Sequence, residues 1–530
     1  MAARKGREST VALLLSSKAD VAALTGAGCS AIMCAAEVGS LGIVEQLLAA
    51  KACVGPTPPD RLTPLMFAAQ EGHEAVATVL LDSLGDVDVL CGSGCTPLIR
   101  AVQFARQGMA DLLMDRKADV TVKTPDGSNA LMLAVQTGMR PAVQRLLQGK
   151  VNPGDCSSAG VSALMLGAQG GRLRIVEDLM AAKAAVNTMD VNGNTPLLLA
   201  AQQGRGPVVS ILLESKASPN LCSPGGNTTL QIALNHRHED IATELLGAGA
   251  DPTAAAADGG NALTFAALQG LEVSVQRLLE AKADPNAGML DGTTALVFAA
   301  ERGHLGVVRV LLEARAQTGV TQDPGGLSAL ALACQNGHAA VVSTLLEQDC
   351  DEEAIRRALQ FASQGGWEDT VALLLARKAD PLVATAAGVT PLMTAAEFGH
   401  RKALRLLIEA EADANAHSTT GITALLLAAQ SGRRAIVTAL LDHKALVDAP
   451  MIDGTTPLLA AIRGGVPDAV PLLLAARAAV NGPSDGAMTP LAQAAASDDV
   501  PTAQLLLRAR AAPGHRGGDG LTALEVARMR

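Results

Sequence analysis

The chain has 530 residues, a net charge of −10 and a pI near 5.5; no apolar run approaches the roughly 18 residues of a membrane span, and the acidic balance argues against a nucleic-acid partner. Hydrophobic residues make up 49% of it but aromatics only 1%: six Phe, one Trp and no Tyr. That excludes one large globular core, whose wide irregular interior would be filled by aromatics; Ala and Leu suit thin, closely spaced layers instead.

In chain order, residues 10–18 read as a helix lacking its partner. From Ser30 onward a Thr-Pro-Leu-like tripeptide recurs. Its opening residues are Ser30, Thr63, Thr96, Asn129, Ser162, Thr195, Thr228, Asn261, Thr294, Ser328, Arg357, Thr390, Thr423, Thr456, Thr489 and Thr522. The gaps are 33 eight times, then 34, then 29, then 33 five times. Leu follows two residues later in each unit except the first, which has Ile32. A register held over sixteen units is an internal repeat.

One unit shows the logic of all. Gly193 to Leu197 supplies a turn and a helix start, with Thr195 as cap and Pro196 where a missing N–H does no harm. A short Ala-rich helix runs to Gln203, and Gly204 breaks it. A second helix carries Val208, Val209, Leu212 and Leu213 at three- and four-residue steps, which makes one face apolar. Lys216 to Asn220 then leads into an exposed finger. Neither helix is long enough to stand alone in water, so each layer must lean on the next.

The gap of 29 falls between Ser328 and Arg357. About four residues of a finger are missing there, and Asp351, Glu352 and Glu353 should sit near a helix N-terminus, where acid is favourable. A joint is expected, dividing the chain into sub-stacks 1–350 and 351–530. Trp367 follows in the loop between that unit's helices, either as a packing residue or as an exposed anchor. Residues 522–530 match only the first helix of a unit.

This pattern resembles the ankyrin repeat, a β-turn finger followed by two antiparallel helices. The resemblance covers nearly the whole chain, about sixteen repeats, and implies an all-α repeat solenoid. The family's His after Thr-Pro-Leu, which ties neighbouring fingers, is absent; Met33, Met66, Met132, Met165 and others stand there. Fingers less tightly clipped to one another are therefore expected. The family's Gly after the second helix is replaced by a basic column: Lys18, Lys51, Lys117, Lys150, Lys183, Lys216, Lys282, Arg315, Lys378, Lys444, Arg477 and Arg510, with Gly249 retained. Solvated helix-end charges and a basic stripe facing an acidic partner both fit this column.

The resemblance implies that fingers and first helices form a concave, partner-binding groove. Seven residues after each opening residue the sequence runs as a ladder. It holds Gln70, Gln103, Gln136, Gln169, Gln202, Glu301, Gln335, Gln364, Glu397 and Gln430, with Glu37, Asn235, Leu268, Arg463 and Ala496 at the remaining steps. Gln offers donors and acceptors without charge. Phe104 and Phe398 lie beside the ladder and, with Trp367, are the candidate anchors. The finger column Asp60, Asp126, Asn192, Asp258, Asp291, Asp453 and Asp519 is mostly acidic.

Catalytic signals are not found. There is no phosphate loop, no His-Glu-x-x-His and no arguable Ser-His-Asp set. His236 and His238 read as turn residues, and Cys91 and Cys95 lack companion ligands at zinc spacing. No catalytic residue, cofactor or metal is expected. Nine scattered Cys without a C-x-x-C pair suggest reduced thiols, hence a cytoplasmic or nuclear protein. The expectation is a monomeric, non-catalytic scaffold binding a partner protein along the groove and fingers. The alternative, which the incomplete terminal units favour, is a regulatory segment of a larger enzyme or channel.

Overall fold

Most first helices begin at their opening residue because that residue caps them; Thr294 starts its helix without a side-chain cap bond. Thr195 is extended (φ −100°, ψ 162°), and its hydroxyl accepts a hydrogen bond from the Leu198 N–H at 3.1 Å while Pro196 occupies the first helical position. Thr63, Thr96, Thr390, Thr456 and Thr489 repeat the arrangement with Pro. Ser30, Asn129, Ser162, Thr228, Asn261, Ser328 and Thr423 cap without it. Such a cap contributes about 1 kcal/mol, too little to hold a helix of seven or eight residues.

The computed structural model describes the chain except residues 27, 58–59, 84, 150, 320–326, 349, 483–487, 519 and 530; Lys150 and Asp519 therefore lie outside the described residues. The chain divides into two compact units, Met1–Asp258 and Gly259–Arg530. Within each, first helices stack on first helices and second helices on second helices. The first helix Pro196–Gln202 buries Leu197, Leu198, Ala200 and Ala201; the second, Gly206–Glu214, buries Val208, Val209 and Leu212. The Ala pairs let neighbours approach, and each buried Leu or Val contributes roughly 1.5–3 kcal/mol. Among the described residues no β-strand forms, and a single antiparallel bridge closes a finger, as at Lys123 with Asn129 or His417 with Thr423.

The fingers are stitched more firmly than the missing His suggests. The Ser158 N–H donates to Asp126 O (2.8 Å), Val191 to Ala159 (3.0 Å) and Ala257 to Gly225 (2.9 Å) in the first unit. Thr419 donates to Ala387 (2.9 Å) and Ile452 to Thr420 (3.1 Å) in the second. An Asn/Asp column adds a second seam: Asn187, Asn220, Asn286, Asn415 and Asn481 each accept a backbone N–H of the following repeat at 2.7–2.9 Å. Main-chain groups replace the His, because tip-to-tip spacing is set by the stack rather than by one side chain. At one position a side chain takes over: Gln231 accepts from the Thr228 N–H (2.8 Å) and donates to Ala254 O (2.7 Å).

The basic column adopts the left-handed backbone that Gly would occupy. Lys18, Lys51, Lys117, Lys183, Lys216, Lys282, Arg315, Lys378, Lys444, Arg477 and Arg510 all have φ between 59° and 70°, and Glu411 takes the same conformation at 68°.

The shortened unit departs from the sequence reading. Arg357 does not open a helix. It lies inside the 14-residue helix Glu352–Gly365, whose cap is Asp351. Asp351 accepts the Ala354 N–H at 2.5 Å, and Glu352 and Glu353 occupy the first turn, as acid near a helix start should. With too few residues for a turn, the chain continues the helix backward. That helix packs on Ala329–Gln335 and on Pro391–Phe398. At the other extreme, a 3-10 turn, Ala3–Lys5, packs on Ala31–Val38 where the first unit's missing helix would stand.

Candidate interaction surface

The ladder lies at the C-terminal ends of the first helices, where the helical turn leads the chain back out of the layer. Two residues earlier the side chains are fully buried Ala or another small apolar residue; at the ladder they emerge. Gln103, Gln136, Gln169, Gln335, Gln364, Glu397 and Gln430 are exposed, and Gln70, Gln202 and Glu301 are half-buried. Gln70 is engaged within the chain: it accepts from Arg100 Nη1 at 2.8 Å and donates to Glu71 at 3.1 Å. Among the described residues the side chains of Gln103, Gln136, Gln169, Gln202, Glu301, Gln335, Gln364, Glu397 and Gln430 make no hydrogen bond or ion pair.

Most of the ladder's backbone carbonyls are occupied, though among the described residues those of Gln103, Glu397 and Gln430 are not. Where they are, the residue that precedes the second helix reaches back one repeat to the ladder carbonyl. His73 Nε2–H donates to Glu37 O (3.2 Å), Arg106 Nε to Gln70 O (2.9 Å), Arg172 Nη2 to Gln136 O (2.7 Å) and His238 Nε2–H to Gln202 O (3.3 Å). In the second unit His304 reaches Leu268 O (3.2 Å), His338 Glu301 O (3.0 Å) and His400 Gln364 O (2.9 Å). These carbonyls end a helix and would otherwise be orphaned. The ladder is therefore fixed from behind, with its side chains left outward. This seam was not legible in the residue types alone, since His, Arg and Trp share it only as N–H donors.

Trp367 belongs to the same seam. Its indole Nε1–H donates to Gln335 O at 3.0 Å. The ring lies over Gly337, where an added Cβ would come within 2.4 Å of it. Trp367 is 42% exposed, Phe104 42% and Phe398 44%, so all three candidate anchors present an accessible edge. Phe104 caps the helix Pro97–Gln103, while Phe398 ends Pro391–Phe398 and stacks on His400 with ring centroids 6.4 Å apart.

Sequence reasoning missed the other four Phe. Phe67, Phe265, Phe298 and Phe361 all stand four residues after an opening residue and are half-buried, in register with Leu133, Leu166 and Ile232. Within each unit this largely apolar position, held by polar residues such as Arg100 or Thr394 in single repeats, lies beside the ladder. Reading the aromatics by repeat position, rather than counting them, would have found it.

The face built by the second helices is different in kind. There, charges pair across repeats: Arg116 with Asp82 (2.7 Å), Arg145 with Asp111 (2.9 Å) and Asp115 (2.6 Å), Arg140 with Asp178 (2.7 Å), and Lys402 with Glu368 (2.9 Å). The Arg140 guanidinium holds the Asp178 carboxyl below its ordinary range. The finger acids turn inward on their own turns. Asp126 accepts from Ser128 Oγ (2.7 Å) and from Thr124, Asp291 from the Thr293 N–H (2.9 Å) and Asp453 from the Thr455 N–H (2.9 Å).

Among the described residues no group of three or more His, Cys, Asp or Glu is placed to hold a metal ion. His236 and His238 stack with centroids 6.2 Å apart, and His238 is committed to Gln202. Cys91 lies 2.9 Å from Ser93 Oγ, beside Cys95 in one finger. Burial pushes the Cys334 thiol far above its ordinary range. No helix among the described residues is long and apolar enough to cross a membrane.

The comparison with known families agrees with this architecture. A family profile described as ankyrin repeats (3 copies) matches residues 1–91, 32–124, 98–190, 164–256, 230–322, 263–356, 315–385 and 359–451. Among curated proteins, none matches the chain. Ankyrin repeats are generally protein-interaction modules, and the family is generally non-catalytic. Stacked helix pairs, left-handed breaks, bridged fingers and matches running from residue 1 to residue 451 place this chain in the ankyrin-repeat family.

Proposed function

We propose that the chain is a non-catalytic scaffold that holds a partner protein along the face carrying its fingers and first helices. The observation that carries this reading is the contrast between faces. Several second-helix charges pair with one another across repeats, whereas the ladder's glutamine amides other than that of Gln70 make no bond within the described residues. Uncharged amides beside a half-buried apolar column suit a broad contact with many modest hydrogen bonds. The contact residues are Gln70, Gln103, Phe104, Gln136, Gln169, Gln202, Glu301, Gln335, Gln364, Trp367, Glu397, Phe398 and Gln430. Trp and Phe act as local anchors, in keeping with the weight of large aromatics at interfaces. The partner meets a monomer in the cytoplasm or nucleus, and the shortened unit divides the contact face into sub-stacks 1–350 and 351–530.

A pull-down from native lysate compares the chain with a Phe104→Ala/Phe398→Ala double variant. A partner recovered at several-fold lower yield by the variant supports the anchors. Equal recovery of every partner by both forms contradicts them.

A further inference from the structure

The shortened unit leaves more than a short turn. Between Leu327 and the finger containing Val383 to Ala386, a regular repeat would place one more finger. Here the first two turns of helix Glu352–Gly365 stand beside the gap, and an open cleft of about 650 Å³ occupies it. That volume falls in the range of roughly 300–1,000 Å³ typical of ligand clefts. Leu327, Phe361 and Val383 supply apolar wall. The rim carries Arg356, whose guanidinium lies 2.6 Å from Glu353, and the same carboxylate also serves Arg357 at 3.2 Å. One carboxylate thus faces two guanidiniums.

A main-chain donor points to what is missing. In this unit, Thr419 and Ile452 each donate their N–H to the preceding finger tip. The residue one repeat before Thr419 is Ala386. The unit before it has no full-length finger, and its helix starts at Glu352. Among the described residues the exposed Ala386 N–H has no acceptor.

We propose that this cleft receives an extended segment of the partner protein in place of the absent finger. A carbonyl of the segment accepts the Ala386 N–H, an apolar side chain lies against Phe361, Leu327 and Val383, and an acidic side chain meets Arg356. The mode is strand-like addition to an open edge, with main-chain bonds giving affinity and alternate side chains giving selectivity. The inference rests on the protein-binding reading, but it concerns a separate place on the chain.

The test uses the full chain and a set of fluorescein-labelled hexapeptides. Each has an apolar residue at every second position; one group carries Asp or Glu between them and a matched group carries Lys. Anisotropy titrations should show binding of the acidic group in preference to the Lys group. Ala386→Pro removes the donor with a residue that other fingers already hold at this place, Pro125 and Pro224. It should weaken binding about five- to tenfold, the equivalent of one hydrogen bond. Arg356→Glu, at an exposed position, should weaken the acidic peptides at least tenfold and favour the Lys group. Gln136→Ala/Gln169→Ala should leave peptide binding unchanged, so a failure of the ladder and a failure of the cleft are read separately. No binding of any peptide, preference for the Lys group by the unmodified chain, or equal binding by Ala386→Pro overturns the proposal.

Discussion

The left-handed Lys column shows how single residues set the energetics. A left-handed backbone costs a non-Gly residue about 1–2 kcal/mol, while Gly loses about 0.5–1 kcal/mol to the entropy of the unfolded chain. Lys183, at φ 62°, is exposed, so Lys183→Gly should stabilise the fold by roughly 0.5–1 kcal/mol, less the small helix-end charge term; calorimetry reads this as a raised Tm. Trp367 gives a second test. Trp367→Ala removes the bond to Gln335 O and should destabilise by about 1 kcal/mol. Trp367→His places there the residue that His338 and His400 already use in adjacent repeats, and most of that stability should return. The caps were legible in the sequence, because Ser, Thr and Asn before a helix act through their own side chains. The seam behind the ladder was not, because its acceptor is a backbone carbonyl one repeat away. Acidification adds a further prediction. Asp126, Asp178, Asp251, Asp291 and Asp453 are held below the ordinary carboxylate range, chiefly by hydrogen bonds from Thr, Ser, backbone or Arg groups. Their depressed folded values contribute stability that is present above the unfolded aspartate pKa and lost as pH falls through the folded values. Asp88, raised chiefly by desolvation, opposes them, but Asp119 and Glu525 are lowered as well, so it is one against seven. Tm should hold level from neutral pH to the upper edge of the aspartate range and fall below it; a Tm that rises there contradicts the assignment.

At the scale of elements, one deletion has two consequences. The missing residues before Asp351 remove a finger and lengthen a helix, and both follow from there being too little chain to turn. The spacing revealed the deletion and the acids at the new helix start, but not that Arg357 would fall within the helix. Register alone cannot say whether a shortened connection becomes a tight turn or more helix. Asp351, Glu352 and Glu353 decide it by capping and charging an earlier start. The division into sub-stacks 1–350 and 351–530 is checked by hydrogen exchange. Amides in the first two turns of Glu352–Gly365, which stand where their own unit's finger would be, should exchange faster than those of Pro391–Phe398. Equal protection in the two helices would remove the joint.

Across the whole molecule, short helices persist because neighbours bury them, so stability is a sum of nearest-neighbour contacts rather than the property of one core. The repeat spacing carried that conclusion from the start; the division into Met1–Asp258 and Gly259–Arg530 left no mark on the spacing, which is unbroken from Thr228 to Asn261. A chain of this kind need not unfold in one step. Trp367 lies in the second unit and is the only Trp, so its fluorescence follows that unit while far-UV circular dichroism follows both. Their urea transitions should not coincide; superimposable curves would show a single cooperative unit. The partner-binding face is tested most directly by photo-crosslinking in lysate, with a benzophenone amino acid placed at Gln136, Gln169 or Gln430 and, as controls, at Arg174 or Lys402 on second helices. The account predicts the same crosslinked protein from the ladder positions and none of it from the controls. Crosslinks to that protein from the second-helix positions alone, or equally from both faces, would contradict it.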